Sequence, residues 1–155
     1  MAHRLRPVGL DFVGTAPVRH VFTREMPVPP EALYRALADV PGWADWFPQV
    51  KTARAVDAGA GRDITLSGGV RFRETVIAAE EPEVYAYRVD VTNAPGVRAI
   101  AEEWRLAPAG GGTRVRWTFA TDGTAAYRLF MKAFRAGQAR AFRDAVTALE
   151  RRLKV

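Results

Sequence analysis

Glu74 and Glu102 are the two residues whose surroundings could do chemistry. In Val70–Ala79 the side chains alternate, so that Val70, Phe72, Glu74 and Val76 share one face and Arg71 and Arg73 the other. In Arg98–Ala107, Ile100, Glu102, Trp104 and Leu106 share a face opposite Glu103 and Arg105. Alternation of this period marks a half-buried strand with its apolar face on the core. Both glutamates are thus predicted on an apolar face, bracketed two residues away on either side by aliphatic or aromatic side chains. An unpaired charge there is very costly, so each must pair, become neutral or line a wet cavity. If burial raises one pKa, the two carboxyls have the makings of a general acid and a general base. Two structural readings compete: an internal network with Arg24 or His20, which share the face of Phe22 and Met26, or a one-residue bulge that turns one Glu outward.

The elements that must position these residues follow from the same patterning. Val18–Met26 alternates as a strand and is stopped by Pro27-Val28-Pro29-Pro30. Pro30 and Glu31 suit a first helical turn, after which Leu33, Ala36 and Leu37 form an apolar helix face. Asp39-Val40-Pro41-Gly42 breaks that helix, and Trp43–Phe47 reads as a second, short one closed by Pro48. Strands are then predicted at Lys51–Asp57, Arg62–Ser67, Val70–Ala79, Val84–Thr92, Arg98–Ala107 and Thr113–Asp122, joined by short Gly- and Pro-containing turns that favour antiparallel hairpins. On Val84–Thr92 the inward side chains are Tyr85, Tyr87, Val89 and Val91; on Thr113–Asp122 they are Val115, Trp117 and Phe119. From Thr124 to Leu153 there is no proline, and Phe130, Phe134, Gly137, Ala141, Ala145 and Leu149 form one helical stripe. The predicted order is β-α-α-β-β-β-β-β-β-α: an α+β protein with a seven-stranded curved antiparallel sheet wrapped on a long C-terminal helix.

One long helix cannot fill a strongly curved sheet, so large side chains or a cavity must close the gap. The surplus of inward aromatics predicts a pocket for an apolar small molecule. Its candidate lining is Trp43, Trp46, Phe72, Glu74, Tyr87, Glu102, Trp104, Trp117, Phe119, Phe130 and Phe134. Trp43, Trp46 and Phe47 either cap the mouth of that pocket or anchor the short helix to the core. Motifs for other chemistry are missing. The histidines are His3 and His20 alone, HExxH and G-x-S-x-G are absent, and the Gly-rich stretches at 59–61 and 110–112 do not lead into a phosphate-binding helix. No metal site and no cofactor is predicted.

Length and composition bound the rest. The chain has 155 residues, enough for one domain with a real core, and no cysteine, which excludes disulfides and thiol nucleophiles. No run approaches the roughly 20 apolar residues of a membrane span, and the start is a poor signal peptide, so a cytoplasmic protein is expected. Residues 1–17 are expected to form an extended N-terminal arm ahead of a domain at 18–155. The net charge of +6 arises wholly in residues 124–155, where eight basic side chains face two acidic ones. A solvated helix face complementing the helix dipole is the favoured reading. The alternative is contact with an anionic surface through Arg128, Lys132 and Arg135.

The stretch VPPEALYRALADVPGWADWFP within 26–48 resembles the opening of the START-like, Bet v 1-like (SRPBCC) superfamily of polyketide cyclases/dehydrases and lipid-transport proteins. FRETVIAAEEPEVYAYRV is similar to that superfamily's paired middle strands, and EEWRLAPAGGGTRVRWTF to its late hairpin; the resemblance spans roughly 18–153. It implies the helix-grip fold and a hydrophobic cavity between sheet and C-terminal helix, in which relatives hold lipids, sterols, quinones or polyketides. Three functions are therefore expected in order. The first is binding or carriage of a hydrophobic small molecule. The second is a cyclase/dehydratase-type enzyme with Glu74 or Glu102 as acid or base and Tyr87 or Arg24 as oxyanion partner. The third is a partner- or membrane-surface-binding module working through the basic C-terminal helix. Whether the protein is an enzyme is left open by the sequence.

Overall fold

The structure, a computed structural model, describes residues 1–154. The elements run β1 (His3–Arg4), α1 (Leu10–Thr15), β2 (Val18–Met26), α2 (Pro30–Ala38), α3 (Trp43–Trp46), β3 (Val50–Val56), β4 (Gly61–Leu66), β5 (Arg71–Glu80), β6 (Val84–Thr92), β7 (Val97–Ala109), β8 (Gly112–Gly123), α4 (Ala125–Ala133) and α5 (Arg135–Leu153). The sheet is antiparallel, with the path β2-β8-β7-β6-β5-β4-β3 and β1 attached to β6. Each hairpin turn places sequence neighbours side by side; only β2 crosses, pairing along its whole length with β8. Every predicted strand forms, and strand ends move by two residues at most. The whole is a helix-grip α+β fold. Among the described residues, no helix is long and apolar enough to cross a membrane.

The sheet curves because its ladders slip. Register shifts fall between Arg73 and Glu74 and between Val76 and Ala78 in the β5–β6 pair, and between Val97 and Ala99 in β7–β8. Such bulges bend and twist the strand that carries them. The first has a local consequence. Arg73 faces Val91 and Glu74 faces Val89, so the extra residue, Asp90, lies on β6. Glu74 therefore keeps its alternation with Phe72 and stays inside, contrary to the reading that a bulge turns a glutamate outward. The phase of β6 flips instead: Thr92, opposite Phe72, is buried, whereas Val91, expected inward, pairs with outward Arg73 and is only half-buried.

The concave face packs an aromatic cluster against α3 and α5. Trp104 is fully buried; its ring stacks on Trp117 at 5.5 Å and meets Trp43 edge-on at 5.7 Å, while Phe142 of α5 stacks on Trp117 at 6.0 Å. Edge-to-face and offset contacts at these distances are the favoured aromatic geometries.

Two expectations change. The C-terminal helix is not continuous: it breaks at Phe134 (φ −82°, ψ 4°), between α4 and α5. The Phe134 ring lies over Gly137, where a Cβ would sit 2.5 Å from Cε1, so only glycine there lets the ring fold back. Phe130 and Phe134, expected on a buried stripe, stack on each other at 5.7 Å and are 61% and 44% exposed. Residues 1–17 also form more than an extended arm. β6 and β7 pair only from Val84↔Arg105 to Arg88↔Ala101, and the N-terminal segment fills the split beyond: Leu5 N–H donates to Asp90 O and Arg6 N–H to Arg98 O, each at 2.8 Å. α1 then lays Phe12 and Val13 on Ala99, Ala101 and Ala120 of the convex face. Those alanines leave the room that the helix occupies.

Phe12→Ala should therefore cost about 3 kcal/mol of stability, as a buried Phe truncation does, without touching the concave face. Urea unfolding checks the loss; an unchanged midpoint would mean that α1 is not docked.

Candidate functional site

The concave face beyond the aromatic cluster is not filled. A cavity of about 760 Å³ lies between β4–β8, α3, α4 and α5, walled mainly by apolar side chains such as Ile64, Phe72, Ile100, Phe119, Met131 and Ala141. It opens to solvent beside the exposed Phe130 and Phe134. The space must hold water or a guest. Its apolar wall gives water few partners.

Of the sequence-predicted residues, Trp43, Phe72, Glu74, Tyr87, Glu102, Trp117, Phe119, Phe130 and Phe134 line the cavity. The exposed Phe130 and Phe134 stand at its mouth. Trp46 and Trp104 lie behind the wall, in the aromatic cluster. Trp43 and Trp46 are both buried, and the Trp43 indole N–H donates to Leu37 O at 2.8 Å, so they anchor α3 rather than cap the mouth.

Polar groups cross the concave face in two register rows offset by two residues on β6: Arg62 opposite Glu74 and Glu74 opposite Val89, then Tyr87 opposite Glu102, Glu102 opposite Phe119, and Phe119 opposite His20. The partner of Glu74 is Arg62. Its Nε lies 2.9 Å from Glu74 Oε1, with about 2% of each side chain exposed. The approach is an ion contact whose angle is wrong for a hydrogen bond: Arg62 Nε and Nη1 and Glu74 Oε1 all lack a hydrogen-bond partner. The guanidinium lies over Tyr87 at 4.0 Å and Trp43 at 4.4 Å. Cation–π attraction is strongest where both partners are dry, as here.

Glu102 is held differently. Its Oε1 accepts from the Tyr87 hydroxyl at 2.8 Å and from the Trp117 indole N–H at 3.0 Å, while Trp104 N–H donates to the Tyr87 oxygen at 3.2 Å. Tyr87 thus spends its proton on Glu102 and is not a free oxyanion donor. Neither Arg24 nor His20 joins the glutamates. Arg24 lies under α5, donating to Thr147 Oγ1 at 2.8 Å and pairing with Glu150 at 3.7 Å, because β2 is the strand that α5 covers; it does not line the cavity. His20 Nδ1 bonds Gln138 Oε1. Arg62 is the functional residue that sequence reasoning missed, although a signal existed: it alternates in phase with Ile64 and Leu66.

Burial raises the Glu74 pKa to about 8, with Arg62 pulling it back only in part and Glu102 adding to the rise. Burial also raises Glu102, against the hydrogen bond from Tyr87. Burial alone would lower Arg62, but the charge of Glu74 together with Tyr87 and Tyr85 more than offsets it. These two effects lean on each other, since a neutral Glu74 no longer raises Arg62. The arginine starts far above neutrality, so its charge is secure and that of Glu74 is conditional.

At the mouth, Arg128 Nη1 donates to Gly123 O at 2.8 Å and lies 3.4 Å from Asp122, and Arg135 stacks over Phe22 at 5.0 Å. Two of the three cations expected to face an anionic surface are therefore engaged within the chain.

The chain belongs to the polyketide cyclase/dehydrase and lipid transport family, whose model matches residues 17–154. It is 31% identical over 118 residues to an uncharacterized protein of Mycobacterium tuberculosis, covering 73% of this chain and 71% of that one. Among solved structures it is similar to the ZhuI aromatase/cyclase of Streptomyces sp. R1128 (TM-score 0.73, 20% identity, 87% of this chain and 94% of that one). It is also similar to a START superfamily protein of Mycobacterium smegmatis (TM-score 0.71, 14% identity, 88% and 97%). The family supports a hydrophobic ligand-binding or cyclase role.

Both buried carboxyls have folded pKa values above their unfolded ones, so between about pH 4.5 and 8 the folded chain holds more protons than the unfolded chain. Their contribution is full below that window and is lost as pH rises through it. The urea midpoint should fall between about pH 5.5 and 8.5. Glu102→Gln, which keeps an acceptor for Tyr87 and Trp117 but cannot titrate, should fall less steeply. A flat or rising wild-type midpoint would contradict the assignment.

Proposed function

We propose that the protein binds and carries an apolar small molecule, of lipid, polyketide or quinone-like class, in the cavity between sheet and C-terminal helices. The single observation that carries this reading is the cavity itself, about 760 Å³ with aromatic and aliphatic walls. Ligand pockets of this size and lining bury most of a small guest's surface. Family membership supports the same reading. The guest enters past Phe130 and Phe134 and replaces water that the wall holds poorly. Filling the space should abolish uptake: Ala141→Trp, projecting from α5 into the cavity, is expected to weaken binding of a hydrophobic fluorescent dye by at least about tenfold. Arg151→Ala, on the exposed end of the helix, should bind as the wild type does. Equal dye binding by Ala141→Trp and wild type would place the dye elsewhere and sink the reading.

A second reading is cyclisation or dehydration of the guest, with Glu102 as the acid or base. It is favoured by one observation: both hydrogen bonds to Glu102 fall on Oε1, leaving the other oxygen of a carboxyl with a raised pKa to the cavity. If the protein turns over a polyketide-type substrate, Glu102→Gln should cut kcat by about a hundredfold or more, the usual worth of a positioned acid or base, with KM little changed. Full kcat in that variant would remove Glu102 as the acid or base.

A further inference from the structure

Apolar binding leaves one group at the inner end of the cavity unused. Arg62 lines the cavity and is almost wholly buried; its Nε sits against Glu74 Oε1 at 2.9 Å, yet its Nη1 has no acceptor. Unmet donors in a dry interior are rare and destabilising. The neighbouring donors are already committed: Tyr87 to Glu102, Trp117 to Glu102, Trp43 to Leu37. The rings of Tyr87 and Trp43 fix the guanidinium in place, so it cannot swing out to find water.

Charge decides what Arg62 can accept. One cation faces two carboxyls, Glu74 in contact with it and Glu102 hydrogen-bonded to Tyr87, whose ring lies against the guanidinium. Above about pH 8 Glu74 is ionised and balances it. A further anion would be excess negative charge in a site without water, the arrangement that buried interiors penalise most. A neutral carbonyl oxygen would satisfy an orphan N–H without adding charge. A bare hydrocarbon would satisfy nothing.

Resting on the binding function proposed above, we infer that the inner end of this cavity is a reader for an uncharged carbonyl oxygen, with Arg62 as the donor and Glu74 as the counter-charge that turns away carboxylates. The preferred guest is an apolar ketone or a molecule of like chemistry, inserted carbonyl first. Arg62 sets specificity and the aromatic wall sets affinity.

The test uses three probes on one ring system, naphthalene, 2-acetylnaphthalene and 2-naphthoate, titrated into the full chain at about pH 9, where Glu74 is ionised, with calorimetry or fluorescence. The expected order places the ketone at least about tenfold tighter than both the hydrocarbon and the carboxylate, the worth of one buried hydrogen bond. Arg62→Met should bring the ketone down to the level of naphthalene and leave naphthalene itself unchanged. Should that variant fail to fold, Arg62→Met with Glu74→Gln removes both charges together, and the same loss of preference is expected. The wild-type ranking decides in any case. Equal binding of all three, or naphthoate binding tightest, overturns this inference while leaving the apolar-binding function standing. No binding of any probe overturns both.

Discussion

A single long helix has to cover one whole face of a strongly curved sheet, and it covers only part of it. The rest of the molecule answers that mismatch. At one end the gap is closed by volume: Trp43, Trp46, Trp104, Trp117 and Phe142 pack ring against ring between α3, the sheet and α5. At the other end the sheet bends away faster than side chains can follow, and the cavity opens. The break at Phe134 belongs to the same constraint. α5 stays on the sheet, while α4 runs on over the mouth with Leu129 and Phe130 largely exposed, since nothing beneath them offers a surface to pack on.

An interior that is partly open can tolerate charge where a packed one would not. Arg62, Glu74 and Glu102 are spaced by sheet register, not by sequence proximity, and each is stabilised differently. Arg62 has rings on its faces, Glu74 has Arg62, and Glu102 has two hydrogen-bond donors. Replacing a buried ion pair by apolar residues is often neutral or stabilising. Stability alone therefore gives little reason for a charge pair here, and a use for the polar groups in the cavity gives more.

Much of this was legible in the alternation of strands and the turn chemistry between them. The inward faces of β5, β7 and β8 followed period two, and Glu74 and Glu102 stood out by violating it. What was hidden has physical causes. Val91 was misassigned because the bulge at Asp90 inverts the phase of β6, and a bulge leaves no mark on composition. Arg24 shares the face of Phe22 and Met26, which makes it, with His20, a candidate partner for the glutamates, but sharing a face does not say which part of that face a helix covers. Arg62 was overlooked because a strand beginning with Arg reads as a strand end at the surface, although Ile64 and Leu66 already placed it inside. The helix break was masked by a stripe whose period holds on both sides of Phe134.

The N-terminal segment bears on how a guest reaches the site. The family model begins at residue 17, so β1 and α1 lie outside the part shared with the family. Without residues 3–6, β6 and β7 would splay beyond Arg88 and Ala101, beside the cavity residues Val97 and Ile100. Leu5 joins the main core from this seam, its neighbours bond to both strands, and α1 braces β7 and β8 from the convex side. The extension therefore closes a gap that the sheet's own curvature creates. It leaves the aromatic mouth as the open side of the cavity, so that a guest passes Phe130 and Phe134 first and meets Arg62 last.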